Sequence, residues 1–257
     1  MTPNIVGIIQ ARLGSSRLPG KTLMPLWESK TTLELMIERL KPSTTLTRIV
    51  VATTTLEEDD PIEATCSRIG AHCFRGSSAD VLSRYYAAAL EFNADHIVRL
   101  TGDCPLQDYE VVDRLVSQYL NSNIDYAANA LQPTYPNGFD AEIFSMTALR
   151  TAFENATLPS DREHVTPYLY GHPDLFQIAN FPYHRNVSHI RLTLDEPADL
   201  EIIRQVINGR FKHGEYVHLE EILVYIEAHS ELLAINQSVK RNQRYEEAIK
   251  PPSSKRP

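Results

Sequence analysis

The amino-acid sequence predicts an α/β, Rossmann-like fold, a mostly parallel twisted sheet with helices on both faces. Apolar runs rich in β-branched residues alternate with stretches of helical period, as a sheet crossed over by helices requires. Several of those runs are apolar throughout instead of alternating, which suits strands covered on both faces. A glycine-rich basic loop directly follows the first run, where open α/β sheets bind ligands.

The spacing predicts strands over Asn4–Gln10, Arg48–Thr53, His72–Arg75, His96–Leu100, Tyr126–Asn129, Phe139–Phe144, Phe176–Phe181 and Ile190–Leu194. Helices are expected over Thr31–Leu40, Pro61–Ile69, Ala79–Phe92, Tyr109–Asn121, Ser145–Glu154, Arg162–Gly171, Pro197–Asn208 and Leu219–Ala228. Pro61 after Asp60, and Pro197, stand at first helical positions, and Ser78-Ala-Asp-Val starts a helix with an acid in its first turn. Leu131 to Gly138, broken by Pro133 and Pro136, reads as one loop. Residues 1–249 are expected to form one domain, and the proline-rich, charged stretch 250–257 a disordered tail.

The net charge of -8 leaves no basic surplus for a nucleic-acid backbone, so a duplex binder is disfavoured. A local basic cluster can still bind a small anion. Cys66, Cys73 and Cys104 are widely spread with no C-x-x-C pair, which suggests neither a zinc site nor a disulfide framework and fits a reducing compartment. The first residues carry no charged n-region, and no stretch approaches the length of a membrane helix. A cytoplasmic protein without membrane contact is expected.

The loop from Gln10 to Lys21 carries the chemistry. Gly14, Ser15, Ser16 and Gly20 let backbone N–H groups approach an anion, and Arg12, Arg17 and Lys21 add positive charge, together a triphosphate cradle. Gly20-Lys21-Thr22 ends like a Walker A loop, but five residues instead of four separate Gly14 from Gly20. Asp103, in Thr101-Gly-Asp-Cys-Pro105, and Asp195, after Ile190–Leu194, each leave a predicted strand on that side. They are the candidate ligands for magnesium, which takes one or two carboxylates and keeps waters. Each could instead be only a helix N-cap. Asp199 is expected inside the late helix, as a solvated or first-turn acid.

These segments resemble a known family, the cytidylyltransferases that activate acidic sugars, and within it the spore-coat polysaccharide biosynthesis protein F group. The resemblance runs in order through Ile8–Lys21, Val50–Ile62, Phe74–Tyr86, Ile97–Leu106, Tyr135–Phe144, Arg162–Tyr170 and His189–Leu200. It implies a fold of the nucleotide-diphospho-sugar transferase type, often dimeric. It also implies attack of an anomeric hydroxyl on the α-phosphorus of CTP, pyrophosphate being released. Arg12, Ser15 and Lys21 match the family's triphosphate loop. Asp103 and Asp195 match the metal ligands of the synthetases for the eight-carbon keto-deoxy sugar acid. Ala11, Gly102, and Gly76, Ser77, Asp80 and Arg84 match segments near the nucleotide. Arg12, Lys21 and Asp103 are the expected catalytic residues, by positioning and charge stabilisation. The sialic-acid synthetases lack the acid matching Asp103, and base recognition is not visible from spacing.

For the acidic acceptor the candidates are Asp140 and Glu142, two apart on one strand face, Arg162, Glu163 and His164 near a helix start, and Arg191 on the strand leading to Asp195. Asp140 and Glu142 could equally lie on a solvent face, and His164 could be a packing or capping residue. Other readings stay open: a nucleotidylyltransferase acting on a sugar phosphate or other phosphorylated acceptor, a nucleotide-sugar-dependent glycosyltransferase, and an inactive scaffold of a polysaccharide pathway. Asp103 is followed by Cys104-Pro105 and forms no D-x-D site, and both phosphate- and metal-binding sets are present, which disfavour the last two.

Overall fold

The computed structural model describes residues 2–239, so the expected tail at 250–257 and positions 240–249 of the expected domain lie outside the described residues. The strands are β1 (Ile5–Gln10), β2 (Pro25–Trp27), β3 (Lys30–Thr31), β4 (Arg48–Thr54), β5 (His72–Gly76), β6 (His96–Thr101), β7 (Tyr126–Ala128), β8 (Glu142–Ser145) and β9 (Ile178–Asn180). The helices are α1 (Thr32–Leu40), α2 (Asp60–Ile69), α3 (Val81–Glu91), α4 (Tyr109–Leu120), α5 (Met146–Asn155), α6 (Pro159–His164), α7 (Pro167–Gly171), α8 (Pro197–Arg210) and α9 (Leu219–Ala228). A sheet runs in the order β5-β4-β1-β6-β8-β7-β9, and β2 and β3 form a separate hairpin that the sequence pattern did not reveal.

Every pairing from β5 to β6 is parallel, whereas β8 runs antiparallel to both β6 and β7. The period of two along β1 shows why both faces need helices. Val6 and Ile8 pack with Leu82 and Tyr85 of α3, while Ile5 and Ile9 pack with Leu33 and Met36 of α1 and Val112 of α4. The helices start where their local chemistry directs. Thr31 and Glu34 form a reciprocal capping box at α1, and Pro61 occupies the first turn of α2.

Four expectations change. Residues 190–194 form no strand but make an isolated parallel bridge, Asn137 to Arg191, because their partner is the 137–138 loop and not a strand. Ile190, Leu192 and Leu194 still alternate inward, into a cluster with Ile202 and Ile203 of α8 and Ile222 of α9. The helix expected over Arg162–Gly171 is two, because Val165 adopts a φ of 72° between α6 and α7. Asp80, not Ser78, caps α3, its side chain accepting from the Ser83 amide. Asp140 lies just before β8 instead of within a strand.

Gly138 holds the 190–194 segment in place. Its φ is 110°, and a Cβ there would sit 2.6 Å from both the carbonyl carbon and oxygen of Leu192. Backbone has no room to retreat, so Gly138→Ala should destabilise the protein by about 3 kcal/mol. Urea unfolding checks this; a loss below about 0.5 kcal/mol would show that the two segments need not touch.

Candidate active site

The basic loop leaves β1 and is tied down from below by an acid that the sequence did not single out. Asp59, fully buried, accepts the Leu13 amide at 2.7 Å and the Thr54 hydroxyl. Across the loop the Thr22 hydroxyl donates to the Arg12 carbonyl at 2.9 Å. This anchoring turns Lys21 toward the strand exits. Its Nζ lies 2.9 Å from an Asp103 oxygen and 2.9 Å from an Asp195 oxygen. The backbones of those acids are joined too, the Leu194 amide donating to the Asp103 carbonyl at 2.7 Å.

Asp195 is the most contested acid. Arg17 reaches the oxygen that Lys21 bonds, at 3.0 Å, and Arg191 reaches the other at 2.9 Å. Arg191 is fixed in turn by Asp199, which is fully buried and also accepts the backbone amides of Asp195 and Glu196. Asp199 is therefore a first-turn acid, but not a solvated one. Burial pulls the Lys21 ammonium down, and the facing charges of Asp103 and Asp195 outweigh it, so its pKa is raised. Burial likewise pushes Asp103 up but is overcome by Lys21 and Thr101, which hold its carboxyl at about 2. For Arg191 burial is outweighed by Asp199 and Asp195, and its pKa is raised.

Two cavities meet at this charge centre, one of about 700 Å³ and one of about 460 Å³, and both are lined by Arg17, Thr101, Asp103, His164 and Asp195. The larger also takes in Ala11, Arg12, Ser15, Lys21 and Gly102. Gly14 and Ser16 are exposed on the same loop without lining it. Gly76, Ser77 and Asp80, expected near the nucleotide, do not line it. The residues that do line it there are Ser78, Ala79, Val81 and Arg84; Arg84 was expected from the resemblance, and no spacing signal separates the other three from their neighbours.

The smaller cavity is lined by Asp140, Glu142 and Arg191, and also by Arg99, which the sequence reading passed over inside an apolar strand. Glu142 is bound at 2.5 Å by Arg99, at 2.7 Å by the Tyr126 hydroxyl and at 2.9 Å by Thr166. Glu163 lines only the larger cavity, away from the acceptor-side residues with which it was grouped. Arg162 and His164 stand in the last turn of α6 instead of at a helix start, and Arg162 is committed to Asp80 at 2.6 Å. Burial lowers the His164 pKa.

Asp103 and Asp195 fit a hard cation. Their oxygens already converge on one ammonium, and among the described residues no group of three or more His, Cys, Asp or Glu forms a closed metal cage. An open pair of carboxylates suits a divalent ion that keeps waters and takes phosphate oxygens.

The family model for cytidylyltransferases matches residues 6–232. The chain belongs to the cytidylyltransferase family. This cytidylyltransferase is similar to a solved cytidylyltransferase from Leptospira borgpetersenii, 36% identical with a TM-score of 0.86 over 93% of this chain and all of that one. It is 34% identical to the spore coat polysaccharide biosynthesis protein SpsF of Bacillus subtilis over 78% of this chain and 85% of the relative. It is 28% identical to the 3-deoxy-manno-octulosonate cytidylyltransferase of Chlamydia trachomatis, with 85% and 87% covered.

The low Asp103 pKa gives the cytidylyltransferase a testable acid response. An acid held near 2, below its ordinary 3.8, adds stability that is fully present above pH 4 and is lost as the pH falls toward 2. In chelator-treated protein, Asp103→Asn should narrow its stability gap to the wild type over that window. A gap independent of pH would mean that Lys21 does not hold the carboxylate.

Proposed function

We propose that this cytidylyltransferase moves the cytidylyl group of CTP onto the anomeric hydroxyl of a sugar acid or sugar-like acid, releasing pyrophosphate. The observation that carries the reading is the meeting of two cavities at Lys21, Asp103 and Asp195. A transfer between two substrates needs one charge centre that both can reach. The larger cavity, with the basic loop on its wall, receives the nucleotide. The smaller receives the acceptor.

The chain's residues have distinct work in this scheme. Arg12, Ser15 and Lys21 hold the triphosphate in line and offset the charge that develops on the leaving pyrophosphate. Magnesium held by Asp103 and Asp195 supplies charge neutralisation at the α-phosphate when bound. Arg17 and Arg191, both bonded to Asp195, are within reach of an acceptor carboxylate that competes with that aspartate. Asp140 and Glu142 face the sugar hydroxyls, Glu142 on a network too firmly bonded to turn away. His164 stands where the two substrates meet. The acceptor O–P bond forms as the α–β phosphoanhydride bond breaks, and no side-chain nucleophile takes part.

The names of the relatives support the substrate side. One is a spore coat polysaccharide biosynthesis protein and another is named a 3-deoxy-manno-octulosonate cytidylyltransferase, which supports a place in surface polysaccharide or glycoconjugate synthesis. The free cysteines Cys66, Cys73 and Cys104 suit a reducing, cytoplasmic location. Among the described residues no helix is long and apolar enough to cross a membrane. A homodimer needing neither nucleic acid nor membrane completes the proposal.

Pyrophosphate release with CTP and magnesium, measured against a panel of 2-keto sugar acids and sugar phosphates, tests it. Turnover with a keto acid and CTP is the expected result. Turnover only with sugar phosphates would replace the acceptor class. Arg12→Ala and Asp103→Ala should each lower kcat/KM by about 100-fold or more, with little change in Tm for Arg12→Ala. Wild-type turnover in either variant would remove that residue from the mechanism.

A further inference from the structure

Between α6 and α7 the chain makes a turn that its own residues disfavour. Val165 has φ 72° and ψ -54°, and the Thr166 amide donates to the His164 carbonyl at 2.9 Å, which together make a γ-turn of the rare, strained kind. A positive φ is least tolerated by a β-branched residue. Thr166 follows at φ -100° and ψ -9°, although it precedes Pro167, whose ring disfavours that region. Among the described residues the other non-glycines with positive φ are Glu28, Ser29 and Asn93, all exposed in turns. Val165, by contrast, is fully buried.

The surroundings hold this turn from both sides. The Val165 side chain belongs to the core cluster of Tyr85, Phe144 and Leu149, and its amide donates to the Asp161 carbonyl at 3.0 Å. Ahead of it Arg162 is fixed by Asp80 and by the Phe153 carbonyl at 2.8 Å. Behind it the Thr166 hydroxyl donates to Glu142 at 2.9 Å. Strained backbone persists only where neighbouring contacts over-determine it, and it gathers at functional sites.

The residues on either side of Val165 show what the turn achieves. In one continuous helix over this segment, positions 164 and 166 would point about 200° apart. With the turn between them, His164 and Thr166 both line the smaller cavity while Val165 packs into the core. His164 reaches the larger cavity as well.

We infer that Val165 is a positioning residue: its strained turn sets His164 and Thr166 side by side on the wall of the acceptor cavity, and its buried side chain keeps that turn closed. The inference rests on the acceptor reading of the smaller cavity given above.

Val165→Ala and Val165→Gly separate strain from packing. Alanine removes the anchoring methyl groups and keeps the strain, whereas glycine removes both, because it accepts a positive φ. The usual order of truncation is therefore reversed, and Val165→Gly should melt above Val165→Ala by about 2 °C or more. His164 reports the placement. Its carbethoxylation by diethyl pyrocarbonate, followed by peptide mass spectrometry below both melting transitions, should be several-fold faster in Val165→Ala than in wild type and near wild type in Val165→Gly. In pyrophosphate release with CTP and a 2-keto sugar acid that the wild type turns over, the KM for that acid should rise about 10-fold in Val165→Ala and recover in Val165→Gly. Val165→Gly melting below Val165→Ala would show that the turn stores no strain and overturn the inference. The reversed melting order with His164 equally reactive in all three proteins would make the turn structural only and overturn it as well. A wild type inactive with every 2-keto sugar acid would remove the acceptor reading alone, since melting and His164 reactivity require no acceptor.

Discussion

One ammonium between two carboxylates organises this molecule. Lys21 comes from the exit of β1, Asp103 from the exit of β6, and Asp195 from a segment some ninety residues further on, and all three meet within hydrogen-bond distance. An exposed ion pair contributes little to stability. This half-buried one acts chiefly through position, since each partner is also fixed by its own backbone. Asp59 holds the loop, the Leu194 amide holds Asp103, and Asp199 with Arg191 holds Asp195. The charges are therefore aimed before any ligand arrives, and under the proposed function an anionic substrate competes with the aspartates for cations that are already ordered.

The sheet explains why the centre lies where it does. From β1 the chain builds outward to β4 and β5 on one side and to β6 on the other, so strand order reverses at β1 and β6. Open α/β sheets bind ligands at such reversals. The antiparallel β8 then places Glu142 beside Arg99 on β6, giving the smaller cavity a floor of its own. Two cavities thus open on opposite sides of one strand exit.

Much of this was legible in the residues. Parallel β1, β4 and β6 declared themselves as largely apolar runs, and the loop from Gln10 to Lys21 declared itself by glycine, serine and positive charge in one place. Segment 190–194 carried a strand's alternation, but alternation reports only which side chains turn inward, and its partner proved to be the loop at Gly138. Helix period could not show the break at Val165, since nothing in a β-branched residue announces a positive φ. Arg99 was hidden for a different reason. A charge inside an apolar strand or helix looks solvated until the tertiary structure shows what covers it. Asp59 stood in a run of four acids, and only contact with Leu13 distinguishes it from the others.

A crystal grown with CTP and manganese would test the central claim most directly, because the metal can be located by its own anomalous scattering. An anomalous peak between Asp103 and Asp195, with phosphates against Arg12 and Ser15, is the expected result. A nucleotide bound with its phosphates away from the basic loop, or a metal held elsewhere while Lys21 stays between the two aspartates, would contradict it.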